Sequence, residues 1–270
     1  MSEQSNAANT CDVSEQGKMP QSSSENWDCP KCHDMGFIWH KSLPDYPDGA
    51  WTVCVCQRER VKRSRARKLM EMSGLTEGAL SRWTFDTFSA GLAQVASAKD
   101  REEMVRIKKL VMAYAEEPRG WLVLMGGYGA GKSHLAYAVA ARRVQLGHAV
   151  YAANVPDLLD MLRDGYKEDQ SQVSERLDTI RKTSLLVLDD LGTENATPWA
   201  TEKLTQVIDY RYREELPMIV TTNIDLYHPE GRISQRITSR LLDGAESDKP
   251  WCQYVVVPAG DYRRSRVVES

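Results

Sequence analysis

An α/β fold built on a mostly parallel sheet is expected for the larger part of this chain, with a small metal-stapled module ahead of it. Three observations predict this. From Trp121 onward the sequence alternates strand-like apolar runs with helix-length segments; a glycine-rich stretch, Gly126 to Ser133, falls between the first such strand and helix; and two cysteine pairs, Cys29/Cys32 and Cys54/Cys56, sit near the start. The 270 residues allow one large domain or two unequal ones, and 41% hydrophobic with 27% charged content is ordinary for a soluble globular chain. The longest apolar runs, such as Trp121 to Met125, are strand-sized and far short of the roughly 20 residues that span a bilayer. The opening residues show neither a basic nor an apolar leader region, so the reading is a cytoplasmic chain rather than a membrane or secreted one. Its six cysteines are then expected to be reduced, which raises metal binding before disulfides.

Taken in order, residues 1–26 are rich in Ser, Asn, Gln and Glu and are predicted to be a disordered tail. Residues 27–56 carry the cysteines and several aromatics and read as the metal module. Residues 57–73 are charged and free of Gly and Pro until the Ser73-Gly74 stop, so they read as a basic linker helix. Residues 74–270 form the main domain. Within it, Lys99 to Glu116 has apolar residues at helical spacing, while 75–98 resist assignment. Strands are predicted at Trp121 to Met125, Ala149 to Val155, Leu185 to Leu188, Met218 to Thr222 and Gln253 to Val257. Helices are predicted at Lys132 to Leu146, Pro156 to Tyr166, Gln170 to Arg181, Pro198 to Glu214 and Arg232 to Leu242.

The net charge of −3 hides a strong local bias: segments 1–56, 57–73, 74–118 and 119–270 carry −5, +5, −1 and −2. Arg58, Arg60, Lys62, Arg63, Arg65, Arg67 and Lys68 hold the positive charge. Such a stretch binds phosphates with salt-sensitive, sequence-independent affinity, but it also suits a solvated linker or a docking helix for an acidic protein surface.

The run Gly126-Gly127-Tyr128-Gly129-Ala130-Gly131-Lys132-Ser133 fits the phosphate-loop pattern G-x-x-x-x-G-K-[ST] in its required setting, after a strand and before a helix. Glycines let backbone N–H groups approach phosphate oxygens, and the helix N-terminus adds positive potential. Lys132 is expected at the β and γ phosphates of ATP, with the Ser133 hydroxyl on Mg²⁺. His134 and Tyr128 flank the loop, with packing and a loop tip as their plainer readings. The strand Leu185 to Leu188 leads into Asp189 and Asp190, a Walker B pattern. Asp189 is expected to hold Mg²⁺ through water, and Asp190 to polarise the attacking water. Asn223, at the end of the next strand, is placed to orient that water.

Together with Val155-Pro-Asp-Leu-Leu159, Ser239-Arg240-Leu241 and Gly260-Asp-Tyr-Arg263, these motifs resemble the AAA+ ATPases, and within them the DnaC/DnaI-type helicase loaders and IstB-like transposition helpers. The resemblance covers about residues 74–265. It implies that Asn223 is sensor 1, that Arg240 is an arginine finger given to a neighbouring subunit's ATP, and that Arg263 is a sensor 2-like arginine. It further implies that Pro156 to Lys167, with Arg163 and Lys167, faces single-stranded DNA, although Asp157, Asp160 and Asp164 oppose strong binding. Two departures stand out. The second Walker B acid is Asp190 rather than the usual Glu, which shortens its reach by one methylene. Only twelve residues follow Pro258, so the usual helical lid is not expected.

Cys29-Pro-Lys-Cys32 and Cys54-Val-Cys56 have the paired spacing that completes a tetrahedral Zn²⁺ site, with His33 or His40 as candidate replacements for one thiolate. A haem-attachment reading of C-x-x-C-H leaves the second pair unexplained. A thioredoxin-like pair lacks its βαβ surroundings. Trp27, Trp39, His40 and Trp51 are either base-stacking faces or the module's core.

The implied function is that of a slow, regulated ATPase that loads a replicative hexameric DNA helicase. It would respond to single-stranded DNA and form homo-oligomers when bound to ATP or helicase. The runner-up is an IstB-like helper acting on duplex DNA with a transposase. A small-molecule kinase does not explain Asp189, Asp190, Asn223 and Arg240 in that order. A pure adaptor would be indifferent to Asp190→Asn.

Overall fold

The computed structural model describes residues 29–72, 77–88, 97–168, 170–194, 197–243 and 251–258. The predicted tail, Trp27, the Ser73-Gly74 stop and the Gly260 to Arg263 motif lie outside the described residues. The chain divides into two compact units, 1–58 and 59–270.

In the first unit an antiparallel hairpin pairs β1 (Phe37–His40) with β2 (Ala50–Val53), in a register that sets Trp39 opposite Trp51 and Phe37 opposite Val53. These strands were not predicted, because four-residue strands among Pro, Asp and Gly give too little periodicity. Ile38 packs against the cysteines. Phe37, Trp39, Trp51 and Val53 stand exposed on the other face, with the two indoles 5.4 Å apart. Trp39 and Trp51 are thus the hairpin's outer surface and not its core. Helix α1 (Val55–Met72) follows directly, and its Arg58, Arg60 and Lys68 are exposed.

The second unit is a five-stranded parallel sheet between helices. Its strands are β3 (Trp121–Met125), β4 (Val150–Asn154), β5 (Leu185–Leu191), β6 (Met218–Thr222) and β7 (Cys252–Val256), in the spatial order β4-β5-β6-β3-β7. Strands buried on both faces need continuous apolar sequence, and Trp121-Leu-Val-Leu supplies it. The helices are α2 (Glu77–Arg82), α3 (Ala98–Glu116), α4 (Lys132–Gln145), α5 (Val155–Glu168), α6 (Gln170–Lys182), α7 (Pro198–Arg213) and α8 (Gln235–Leu241).

Two cores fill the faces. Helices α3 and α4 cover one through Ile107, Val111, Leu135 and Val139; α5, α6, α7 and α8 cover the other through Leu158, Leu162, Ile180, Leu204 and Ile237. Helix starts follow their caps. Ser97 and Asp100 form a reciprocal capping box at α3, Thr197 caps α7 ahead of Pro198, and Ser234 caps α8. The Ser234 cap shortens α8 from its predicted start at Arg232. Arg211 is fully buried and donates to the carbonyl oxygens of Arg181 at 3.0 Å, Thr183 at 2.9 Å and Pro217, pinning α7 to the segments that lead into β5 and β6.

Candidate functional site

The strand order places β6 between β3, which leads into the phosphate loop, and β5, which carries the acidic pair. All three end on the same side of the sheet, so their C-terminal residues converge as ligand-binding residues do in open α/β sheets. At the loop, Gly126 and Gly131 take positive φ values of 154° and 93°. A Cβ on Gly126 would come within 2.5 Å of the Val257 carbonyl oxygen, and one on Gly131 within 2.8 Å of the Phe88 ring. The sequence uses glycine there because no side chain fits. Gly131 begins α4 without a side-chain cap, unlike the Ser and Thr caps of α3, α7 and α8, so the first N–H groups of α4 lack that partner. An uncapped N-terminus behind a glycine loop fits a phosphate.

Lys132 is only 4% exposed. Its Nζ donates to the Gly126 oxygen at 3.0 Å, the Gly127 oxygen at 2.8 Å and Asn223 Oδ1 at 2.6 Å. The expected lysine and the expected sensor amide are therefore in direct contact. Asp189 is buried beside them, and Thr221 Oγ1 donates to its Oδ1 at 2.6 Å. The same hydroxyl accepts the Asp190 N–H at 2.9 Å. This bridge stands where the β5–β6 ladder is irregular, between Leu188 and Leu191, and where Asp190 adopts a left-handed φ of 59°. The strand predicted to end at Leu188 thus continues to Leu191, with Thr221 supplying what the interrupted ladder cannot. A non-glycine residue in that region costs about 1 kcal/mol, and it re-aims the Asp190 side chain.

Burial raises the Asp189 carboxyl above the ordinary aspartate range, and the nearby Asp190 charge adds to it. The Thr221 and Ser133 hydrogen bonds and the Lys132 ammonium oppose the rise. Ser133 and Asp189 are thus neighbouring hard oxygen donors, the ligand chemistry that suits Mg²⁺. Tyr137, one turn along α4 from Ser133, was missed by sequence reasoning. Burial first, and then the Asp189 and Asp190 carboxylates, push its hydroxyl well up. Its ring packs at 4.2 Å on Trp83.

Other predicted residues lie elsewhere. His134 Nε2 bonds the Thr84 carbonyl oxygen at 2.9 Å, and its ring meets the Phe88 edge at 5.3 Å. Burial lowers its pKa. It is held by the 84–88 segment, in line with its packing reading. Tyr128 is 67% exposed at the loop tip, and Ala130 is buried. Arg240 pairs with Asp209 and lies 4.7 Å from the centre of the Tyr212 ring. Arg163 pairs with Asp160 and lies over Trp199. Arg263 lies outside the described residues.

In the first unit the sulfurs of Cys29, Cys32, Cys54 and Cys56 all lie within 4.8 Å of one another. Cys29 to Cys54 is 3.7 Å and Cys32 to Cys56 is 3.3 Å. A tetrahedral zinc–thiolate centre with about 2.3 Å bonds has sulfurs about 3.8 Å apart, so the four residues fit one Zn²⁺. The Gly36 N–H points at Cys32 Sγ at 3.3 Å, the kind of outer contact that orients a thiolate. Backbone N–H groups of Cys32 and Lys31 pull Cys29 down to about 7, while the crowding sulfurs, Cys32 first, push Cys56 up to about 12. No histidine belongs to the cluster; His40 bonds Thr52 at 2.8 Å instead.

The strand order, the glycine loop and the Lys132–Asn223–Asp189 grouping define a P-loop nucleotide-binding fold of the AAA+ kind. Residues 54–264 match the family described as IstB-like ATP binding protein, and the chain belongs to that family. It is similar to the phage-like element PBSX protein XkdC of Bacillus subtilis, 25% identical over 241 residues that make up 84% of this chain and 82% of that protein. It is also similar to the replicative helicase loader DnaC of Escherichia coli, 24% identical over 48% of this chain and 55% of that one. A protein of insertion sequence IS5376 from Geobacillus stearothermophilus is 28% identical over 53% of each chain. Crystal structures of DnaI (TM-score 0.51, 19% identical, 69% of this chain and 93% of that one) and of the DnaC helicase loader (0.52, 22%, 67% and 98%) share the fold. Among the described residues no helix is long and apolar enough to cross a membrane.

Proposed function

We propose that this protein is an ATP-dependent loader of a replicative DNA helicase. It acts in the cytoplasm at the initiation of DNA replication, as a slow switch that responds to ATP and single-stranded DNA. The observation that supports this reading is a four-cysteine unit, 1–58, distinct from the nucleotide core, 59–270. The likeness to DnaC supports it.

In this reading the loop N–H groups and Lys132 hold the phosphates of ATP, with Lys132 exchanging its Gly126 and Gly127 carbonyl partners for phosphate oxygens. Ser133 and Asp189 would hold Mg²⁺, which would supply positive charge to the phosphates when bound. Asp190 receives the proton of the attacking water, and Asn223 orients that water. Arg240 reaches the ATP of a neighbouring copy. Cys29, Cys32, Cys54 and Cys56 hold Zn²⁺, and the hairpin they support docks the helicase through Phe37, Trp39, Trp51 and Val53. The basic residues of α1 serve either DNA or protein.

The test is size-exclusion with light scattering on the protein mixed with its cell's replicative helicase, with and without ATP. Co-elution that disappears when residues 1–72 are removed is the expected result. No complex in either condition overturns the loader reading. A second reading, a transposition helper on duplex DNA, draws on the IS5376 likeness, and binding to duplex DNA and a neighbouring transposase would then take precedence.

A further inference from the structure

Helices α6, α7 and α8 gather four guanidinium groups around a depression of about 310 Å³, lined by Arg181, Asp209, Tyr210, Arg213, Arg236 and Arg240 among others. Arg181 has its own carboxylate in Asp178, and Arg213 donates to the Asp209 backbone oxygen at 3.4 Å. Arg236 and Arg240 are different, because both spend their charge on one side chain. They lie four residues apart on α8 and so project from one side of it. Arg236 Nη2 meets Asp209 Oδ2 at 2.5 Å, while Arg240 Nε meets Asp209 Oδ1.

Asp209 therefore gives one oxygen to each arginine. Two oxygens of a phosphate group would bridge the same two guanidiniums in the same way. The two arginines are not equivalent. Arg240 is held from behind by the Tyr212 ring, whose hydroxyl bonds Asp243 at 2.7 Å, and its side chain is 26% exposed. Arg236 is 64% exposed and forms the outer member of the pair. An anion arriving from solvent meets Arg236 first and finds Asp209 already seated between the two.

We propose that Asp209 is a latch on an arginine pair. In the free chain its carboxylate occupies Arg236 and Arg240 together, and the γ-phosphate of ATP on a neighbouring copy displaces it, so that Arg236 as well as Arg240 contacts that phosphate. The inference rests on the reading that Arg240 serves a neighbour's nucleotide, and adds to it a second arginine and the residue that restrains both. A terminal phosphate carrying more than one negative charge competes for two guanidiniums better than a single carboxylate does. Loss of the γ-phosphate leaves Asp209 as the better-placed anion. The pair then closes and the contact between copies weakens.

The experiment uses the full chain with ATPγS and measures, by light scattering, the protein concentration at half-maximal self-association. Affinity for a fluorescent ATP analogue, measured where the chain is dilute, serves as the control for folding. Asp209→Asn is expected to lower the half-association concentration about fivefold, the scale of one partly exposed ion pair, with nucleotide affinity unchanged. Asp209→Glu is expected to behave as the natural chain. Arg236→Ala, at an exposed position that does not threaten folding, is expected to weaken association and to cancel the gain in the double variant with Asp209→Asn. If Arg240→Ala associates as well as the natural chain, the neighbour reading fails and the latch falls with it. If Arg240→Ala is impaired but Asp209→Asn gains nothing, or Arg236→Ala has no effect, the latch is overturned and the neighbour reading stands.

Discussion

Lys132 and Asp189 are both almost wholly buried, and each is tolerable there only through its partners. Lys132 has three oxygen acceptors in the free chain, so its replacement by alanine removes a charge and orphans Asn223. Lys132→Ala is expected to weaken ATP binding at least about tenfold, as loss of a charge-assisted contact should, and titration with a fluorescent ATP analogue measures it. Thr221 is the partner of Asp189. Thr221→Val removes both bonds of its hydroxyl and is expected to cost about 1–3 kcal/mol in denaturant melts and to slow ATP turnover, whereas Thr221→Ser retains both properties. The sign of the pH effect follows from the raised Asp189 carboxyl. A folded-state acid whose pKa is raised holds its proton to higher pH than the unfolded chain does, so its burial costs no stability at low pH. That cost grows as pH climbs from the ordinary aspartate value of about 3.9 through the raised one. Mg²⁺ held at Asp189 would compete with the same proton. Its affinity in the presence of ATP is therefore expected to fall on acidification before an ordinary aspartate would protonate, which a Mg²⁺ titration at stepped pH detects.

At the scale of elements, the phosphate loop is a junction between β3, α4 and β7, since Gly126 lies against Val257 beyond the end of β7. Gly126→Ala forces a Cβ into that carbonyl oxygen at a backbone angle that favours glycine. It is expected to destabilise the core by about 2 kcal/mol or more and to abolish ATP binding, as read by thermal melting with and without nucleotide. Much of this layer was legible beforehand. The five parallel strands, α3, α4 and the loop announce themselves through apolar runs, 3.6-residue spacing and a motif whose meaning is local. What stayed hidden depends on contacts between elements. The two strands of the hairpin are too short for a periodic signal. Arg211 reads as one more charge on an amphipathic helix until its carbonyl partners arrive from α6 and the residue before β6. The Thr221 bridge needs two neighbouring strands, and the pairing of Asp209 with Arg236 and Arg240 needs two helices. Nothing local sets Tyr137 apart from a core aromatic, and only the influence of Asp189 and Asp190 on its hydroxyl does.

The whole molecule joins two units with different sources of stability. Among the described residues, the second unit has two apolar cores, while the first has a hairpin and four sulfurs with Ile38 packed against them. Elemental analysis is expected to find one zinc per chain, lost in Cys32→Ser. A strong chelator is expected to erase amide-exchange protection in β1 and β2 while the five-stranded sheet keeps its own. A second consequence concerns the ribbon from Met218 to Leu241. It begins as the strand that seats Thr221 against Asp189 and Asn223 against Lys132, and it ends as the helix bearing Arg236 and Arg240. One continuous piece of backbone thus touches the nucleotide pocket at one end and the arginine surface at the other. Coupling between two such places is symmetrical by necessity: whatever factor ATP adds to the grip of that surface on a partner, the partner must return to the grip on ATP.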